Sequence, residues 1–315
     1  MTMQESTRPR TRAAAILQAV FVTFLWSTSW VLIKIGLQTD LPALTFAGLR
    51  YSLAFLCLLP FVLLNPRQRT TLTAIDRGTW MRLLLLGLLF YSLTQGAQFL
   101  GLAFLPAATV TLLLNLTPVL VALWSGLLNR EPTLPGQWGG ILLTVAGTVI
   151  YFLPLDIPAG QTLGLVVVLI GVIVNAGSSL LGRQINRRGN LSPLLVTTIS
   201  MGIGGFLLLI TGSATQGLGQ ISPTQWLIIL WLAVVNTALA FTLWNRSLRT
   251  LTAVESSVIN NLMLPQIVIL AWIFLGESLT GRQIAGIILV GIGTLIVQIR
   301  RNGSRNGEPV SPKAQ

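Results

Sequence analysis

The chain has 315 residues, of which 53% are hydrophobic and only 9% charged, against about 25% charged residues in a soluble domain. With a mean hydropathy of +0.77, its solvent is lipid, and a soluble globular fold is excluded. The net charge of +12 would point to nucleic acid in a soluble protein. Here the basic residues fall in short links between apolar segments, so no nucleic-acid partner is expected.

Residues 1–13 are basic and read as a cytoplasmic tail. The apolar run that follows contains no small-residue cleavage site, which reads as a retained first span and not a signal peptide. Crossing the hydrocarbon takes about 20 apolar residues. Ten segments come near that length: 14–36, 42–64, 82–101, 107–128, 136–153, 161–182, 192–212, 224–245, 253–274 and 280–299. The links are short, and residues 300–315 form a polar tail expected to be disordered. Cys57 is the single cysteine, so no disulfide can form within the chain. No histidine occurs, which removes His-based metal sites, catalytic triads and proton relays. Neither metal nor cofactor is expected.

Two stretches of the chain nearly coincide. Residues 107–150 slide onto residues 253–296 without a gap at an offset of 146. Asn115 then falls on Asn261, Glu131 on Glu277, Gln137 on Gln283, and Gly147-Thr148 on Gly293-Thr294. Pro118 and Pro265 miss by one residue. Self-similarity of this kind marks a duplicated unit. It divides the chain into repeats of five spans each, 14–153 and 161–299.

Orientation follows from Lys and Arg counted by side. With the N-terminus inside, 17 of the 20 basic residues lie in cytoplasmic regions, and only Lys34, Arg50 and Arg282 do not. Both termini are therefore expected in the cytoplasm, across the inner membrane. Five is odd, so the second half enters the membrane upside down relative to the first. The expected fold class is an all-α membrane protein of ten transmembrane helices in two inverted five-helix repeats. Inverted halves are a known way to build an alternating-access transporter, with the substrate site between them near mid-depth. A duplication that only enlarged a helical bundle is the plainer alternative.

The repeated segment resembles the EamA family of the drug/metabolite transporter superfamily. The resemblance rests on LLLNLTPVLVALWSGLLNREPTLPGQWGGILLTVAGTVI, ending at Ile150, and on SSVINNLMLPQIVILAWIFLGESLTGRQIAGIILVGIGTLI, ending at Ile296. FLWSTSWVLIKIGL, starting at Phe24, looks like the family's opening helix, and Arg50 in FAGLRYSLAF matches its arginine in the second span. The resemblance covers residues 14 to 299. It implies no cofactor, and export or exchange of small organic solutes such as amino acids. Two positions depart from the family pattern: Pro132 follows Glu131, and Asn175 stands where a Trp is frequent.

Charges within a span are costly, so each is a functional candidate. Lys34 reads either as snorkelling to the headgroups or as a counter-charge or gate residue. Arg50 lies deeper, with a helix-end carbonyl as its structural alternative. Glu255 suits a helix N-terminus, or else couples protons. Glu131 and Glu277 occupy turns and read as caps. Trp26 and Trp30 are four apart and share a helix face. Tyr91, Gln95 and Gln98 keep the spacing i, i+4, i+7 on the third span. Asn115, Asn175, Asn236, Trp244, Asn260, Asn261 and Gln266 add amides and aromatic surface. Such residues either hydrogen-bond between helices or line a pocket for a neutral or zwitterionic amphiphile. Pro118 and Pro265 are expected to kink the fourth and ninth helices mid-span.

The expected partners are a small-molecule substrate and the bilayer. One chain holds both halves, so a monomer suffices and a dimer stays open. No GxxxxGK[ST] is present, so nucleotide is not the energy source within this chain. Two competing readings are a non-transporting partner subunit and, less favoured, a membrane enzyme. The second lacks histidine, paired intramembrane carboxylates and a GxSxG elbow.

Overall fold

The computed structural model describes residues 9–38, 41–129, 135–154, 158–187, 191–247, 250–251 and 259–303, and among these the secondary structure is helical with no strand. Glu131, Pro132 and Glu255 lie outside the described residues. The first repeat contains α1 (Pro9–Leu37), α2 (Ala43–Leu63), α3 (Pro66–Thr73), α4 (Arg77–Leu86), α5 (Gln95–Phe104), α6 (Ala107–Leu114), α7 (Thr117–Asn129) and α8 (Pro135–Phe152). The second contains α9 (Ala159–Arg187), α10 (Pro193–Gln216), α11 (Pro223–Ala233), α12 (Ala240–Ser247), α13 (Met263–Leu275) and α14 (Gly281–Gly303).

Among the described residues, seven helical stretches are at least 18 residues long and apolar enough to cross a membrane. Three shorter apolar helices join them: Gly136–Phe152, Ile259–Leu275 and Gly281–Val297. The link after the second span is not irregular throughout, because α3 folds within it. Asn65 caps that helix by accepting from the Arg67 amide, with Pro66 in the first turn. The third span begins at Arg77, earlier than its apolar run. Asp76 caps it, accepting from the Thr79 amide and hydroxyl at 3.1 and 2.6 Å. The same two bonds hold the Asp76 carboxyl below the ordinary carboxylate range.

Duplication shows in the helix starts. Arg77 and Pro223, Thr117 and Met263, and Pro135 and Gly281 each open a helix, and each pair is 146 residues apart. The caps Asp76 and Ser222 keep that offset, as do the exposed Trp80 and Trp226. The third and eighth spans both pass through π-helical turns, at Gly87–Thr94 and Val234–Leu239. In each, a threonine hydroxyl reaches back five residues: Thr94 to the Leu89 carbonyl and Thr237 to the Leu232 carbonyl.

The repeats join through two glycine seams. A Cβ on Gly140 would lie 2.8 Å from the Gly293 carbonyl oxygen, and one on Gly147 would lie 2.7 Å from that of Gly286. Thus α8 and α14 run antiparallel with their backbones in contact. The offset maps Gly140 onto Gly286 and Gly147 onto Gly293, so the seam is its own image. The second spans repeat this geometry: Gly212 faces Thr45, Gly205 faces Ser52 and Gly202 faces Phe55, so α2 and α10 are also antiparallel. Small residues allow such close approach, and in lipid the packing itself supplies much of the attraction.

Between the seams sits a core that includes Ile33, Phe46, Phe99, Leu102, Leu105 and Ile267. Leu17, Ile170, Ile173, Ile210, Ile269 and Trp272 are exposed over the outer surface. On a soluble protein that surface would be an association site; here lipid tails cover it.

Candidate functional site

The fourth span is broken where it reaches the interior. Residues Asn115 and Leu116 form a turn between α6 and α7. The Leu116 amide bonds only three residues back, to the Leu113 carbonyl, and the Asn115 side chain turns its Nδ2 onto the Thr111 carbonyl at 2.8 Å. The ninth span turns at Leu262, whose amide likewise bonds three residues back, to Ile259. These turns lie 146 residues apart. Pro118 and Pro265 therefore do not kink continuous helices. Each sits in the first turn of the helix after the break, where a missing N–H leaves no bond unmade.

Around these breaks lies a cavity of about 410 Å³, within the range of small-ligand sites. Helices of both repeats line it. The residues predicted for a site that reach it are Trp26, Trp30, Arg50, Gln95, Gln98, Asn115, Pro118, Asn175, Asn260 and Asn261. Ser29, Tyr51, Phe90, Thr94, Thr111, Thr117 and Phe241 also line it. Of these, Tyr51, Phe90, Thr94, Thr111, Thr117 and Phe241 were not foreseen. Hydroxyl and apolar side chains inside long apolar runs carry no individual signal.

Six predicted residues within the described region lie off the cavity wall: Tyr91, Asn236, Trp244, Pro265, Lys34 and Gln266. Tyr91 is buried behind it, edge-on to Tyr51 and to Phe90. The reason is local: Gly87–Thr94 is π-helical, so the spacing i, i+4 no longer marks one face. Phe90 takes the position on the cavity that α-helical spacing assigns to Tyr91. Asn236, in the paired π-helical turns of the eighth span, is fully buried. Its Nδ2 donates to the Leu25 carbonyl and to Thr28 Oγ1, while its Oδ1 has no hydrogen-bond partner among the described residues. Trp244 packs on Trp26 with ring centroids 5.2 Å apart, supporting a cavity residue from behind. Pro265 is exposed on the lipid side.

Lys34 is the fifth. Its Nζ donates to the carbonyls of Leu102 and Leu105, at 2.6 and 2.7 Å. Capping the C-terminal end of α5 gives the ammonium acceptors and a favourable helix dipole. Arg50, which had a helix-end carbonyl as its structural alternative, takes a different partner. Its Nε donates to Thr237 Oγ1 at 3.1 Å, and its guanidinium carbon lies 5.2 Å from the Tyr51 ring centre.

Three further bonds orient the polar lining. Tyr51 donates its hydroxyl to Gln95 Oε1 at 2.6 Å. Asn175 Nδ2 donates to Thr117 Oγ1 at 3.2 Å. Ser27, beneath the wall, donates to Gln266 Oε1 at 2.9 Å and ties the first span to the ninth.

A second hollow of about 470 Å³ lies by the end of the core, lined by Pro106, Thr109, Tyr151, Gln161, Glu277 and Arg282 among others. The Glu277 carboxylate occupies it as a helix cap, described below. Among the described residues, no cluster of Asp, Glu, Cys or His could hold a metal ion.

Known proteins place the chain. It is 27% identical over 307 residues to the uncharacterized transporter YvbV of Bacillus subtilis (strain 168), over 94% of this chain and 95% of that protein. It is 22% identical over 311 residues to the uncharacterized transporter YcxC of the same organism, over 94% and 96%. A chain in a crystal structure has the same fold, with TM-score 0.65, 18% identity and coverage of 92% of this chain and 98% of that one. The EamA-like transporter family matches twice, over residues 13–153 and 162–299. With two repeats, several apolar spans and these transporter relatives, this multi-pass membrane protein belongs to the EamA-like transporter family.

Proposed function

We propose that the chain is a secondary transporter that exports small organic solutes, amino acids or related metabolites, across the inner membrane. The observation that carries this reading is the cavity itself: helices from both repeats line it, and it is walled by amides and aromatic rings. Ten spans fit the seven long helical stretches and three shorter ones. The antiparallel seams between repeat-related helices support halves inverted about an axis in the membrane plane. Rocking those halves would open the cavity to each side in turn. The basic residues support termini on the cytoplasmic side. Lys34 and the paired helix breaks serve gating in this scheme. Glu255, outside the described residues, serves proton coupling. A single chain completes the cavity, so the monomer is the working unit, whether or not it dimerises.

Counterflow in proteoliposomes tests the reading. Vesicles loaded with an excess of one unlabelled amino acid should take up the same labelled amino acid in a saturable way. A full amino-acid panel without counterflow by folded protein would overturn the amino-acid assignment. Counterflow unaffected by an imposed pH gradient and by Glu255→Gln would overturn proton coupling alone.

A further inference from the structure

Arg50 is a buried cation with an unfilled coordination. It is 5% exposed, and among the described residues its side chain has one hydrogen-bond partner, Thr237 Oγ1 on Nε, beside the Tyr51 ring. The Thr237 hydroxyl donates its own proton to the Leu232 carbonyl at 2.8 Å, which turns a lone pair toward Arg50. The Nη groups make no hydrogen bond among the described residues, and Arg50 lines the cavity. Two acids lie in the described region, and both are committed elsewhere. Asp76 binds Thr79 at the start of α4, and Glu277 binds the amides of Ala107 and Ala108. Among the described residues, no Asp or Glu lines the cavity.

A buried charge without a counter-ion is strongly unfavourable, and a well-shaped anion is what offsets it. Guanidinium matches carboxylate with two parallel N–H···O bonds. The neighbouring wall is built to assist. Because Gln95 Oε1 accepts from Tyr51, its Nε2 is left to donate. Elsewhere in the lining, Asn115 and Asn175 spend Nδ2 on Thr111 and Thr117 and leave Oδ1 as acceptors. The cavity thus carries a donor region around Arg50 and Gln95, an acceptor region at Asn115 and Asn175, and the rings of Trp26, Trp30 and Phe241.

We infer that Arg50 anchors a carboxylate, so that the solute is a small carboxylic acid or zwitterion with an apolar body, and not an organic cation. This rests on the transporter reading for its consequence, but the anchor can be tested without flux. The probes are matched sets: leucine, leucinamide and 4-methylpentanoate, and tryptophan, tryptamine and indole-3-propionate. Each is presented to purified wild-type protein, with thermal stabilisation in detergent and counterflow in proteoliposomes as separate readouts. The carboxylate members of at least one set should stabilise and exchange, and the amide or amine member should do neither. Arg50→Gln should weaken the response by about tenfold or more, since charge-assisted bonds contribute roughly twice a neutral one. Arg50→Lys should keep part of it, as a point charge without the fork. Gln95→Leu, which keeps the charge, should weaken it less than Arg50→Gln.

Stabilisation by carboxylates without counterflow would support the anchor and overturn transport of these solutes. Counterflow of leucinamide or tryptamine at the rate of its carboxylate partner would support a transporter and overturn the anchor. So would an Arg50→Gln protein that still discriminates as wild type does. The discrimination among probes needs no variant, so misfolding of Arg50→Gln would not shelter the proposal. Absence of both stabilisation and exchange for every carboxylate would overturn it.

Discussion

Glu277 of the second repeat caps a helix of the first: its carboxylate accepts from the Ala107 amide at 2.7 Å and from the Ala108 amide at 3.2 Å. The capped helix is α6, whose other end is the break at Asn115. On the far side of Pro106, Lys34 holds the Leu102 and Leu105 carbonyls that end α5. An anion on N-terminal amides and a cation on C-terminal carbonyls both match the helix dipoles. They fix the turn between two helices that line the cavity, and one of the two groups comes from the opposite half.

This arrangement predicts that Glu277→Ala destabilises the fold more than Glu277→Gln. The alanine leaves both amides unpaired, at a cost of about 1–2 kcal/mol. Glutamine keeps one acceptor oxygen and loses the charge and the second acceptor. The two charges are also close enough to interact. A double-mutant cycle of Glu277→Gln with Lys34→Met, read by thermal melting in detergent, should therefore show a coupling of about 0.5 kcal/mol or more. Strict additivity would mean that the two caps act independently.

The glycine seam gives a second prediction. Gly293→Val places atoms against the Gly140 carbonyl and Thr144, where even a Cβ would lie 2.7 and 2.4 Å away. Helix backbones cannot give way as a flexible side chain can. The variant should lose more than the 1–3 kcal/mol typical of overpacking or fail to accumulate in the membrane. Gly139→Val, on α8 beside Gly140 but with nothing within 4 Å of an added Cβ, is the control and should melt within about 0.5 kcal/mol of wild type.

How far the sequence foretold these features depends on which force set each one. The duplication was visible as an offset of 146, and helix starts, caps and seam glycines follow it, because each rests on local residue identity. Amide residues on separate spans were foreseen as a common lining, because polar groups in lipid must face one another or a cavity. Tyr91 was misplaced because a π-helical stretch has no signature in a run such as Gly87–Thr94. The prolines were read as kinks because sequence spacing shows where an N–H is missing and not where a helix has already ended. The roles of Lys34 and Arg50 needed the fold, since their acceptors lie 68 or more and 187 residues away.

The prolines themselves supply a third prediction. If Pro118 began a helix merely by tolerating the position, Pro118→Ala should change stability by well under the 3 kcal/mol that a mid-helix proline costs. Pro265→Ala, on the lipid face, should behave likewise. Melting temperatures of both variants in the same detergent check this. A strong stabilisation of either would mean that the proline was breaking a helix that otherwise runs through, and that the break at Asn115 or Leu262 depends on it.

The fourth prediction separates support of the cavity from its chemistry. Tyr51 and Gln95 form one bond, yet removing either partner should not be equivalent. Tyr51→Phe removes a buried donor and leaves Gln95 at a cavity wall, where water can replace the hydroxyl; the expected loss is about 0.5–1.5 kcal/mol. Gln95→Leu leaves the buried Tyr51 hydroxyl without an acceptor, with an expected loss of about 1–3 kcal/mol. The order of melting temperatures should be wild type, then Tyr51→Phe, then Gln95→Leu. The double variant Tyr51→Phe with Gln95→Leu should recover part of the Gln95→Leu loss, because no orphan polar group remains. A double variant less stable than Gln95→Leu alone would show that the Tyr51 hydroxyl acts through a partner other than Gln95, since the phenylalanine ring still faces Arg50.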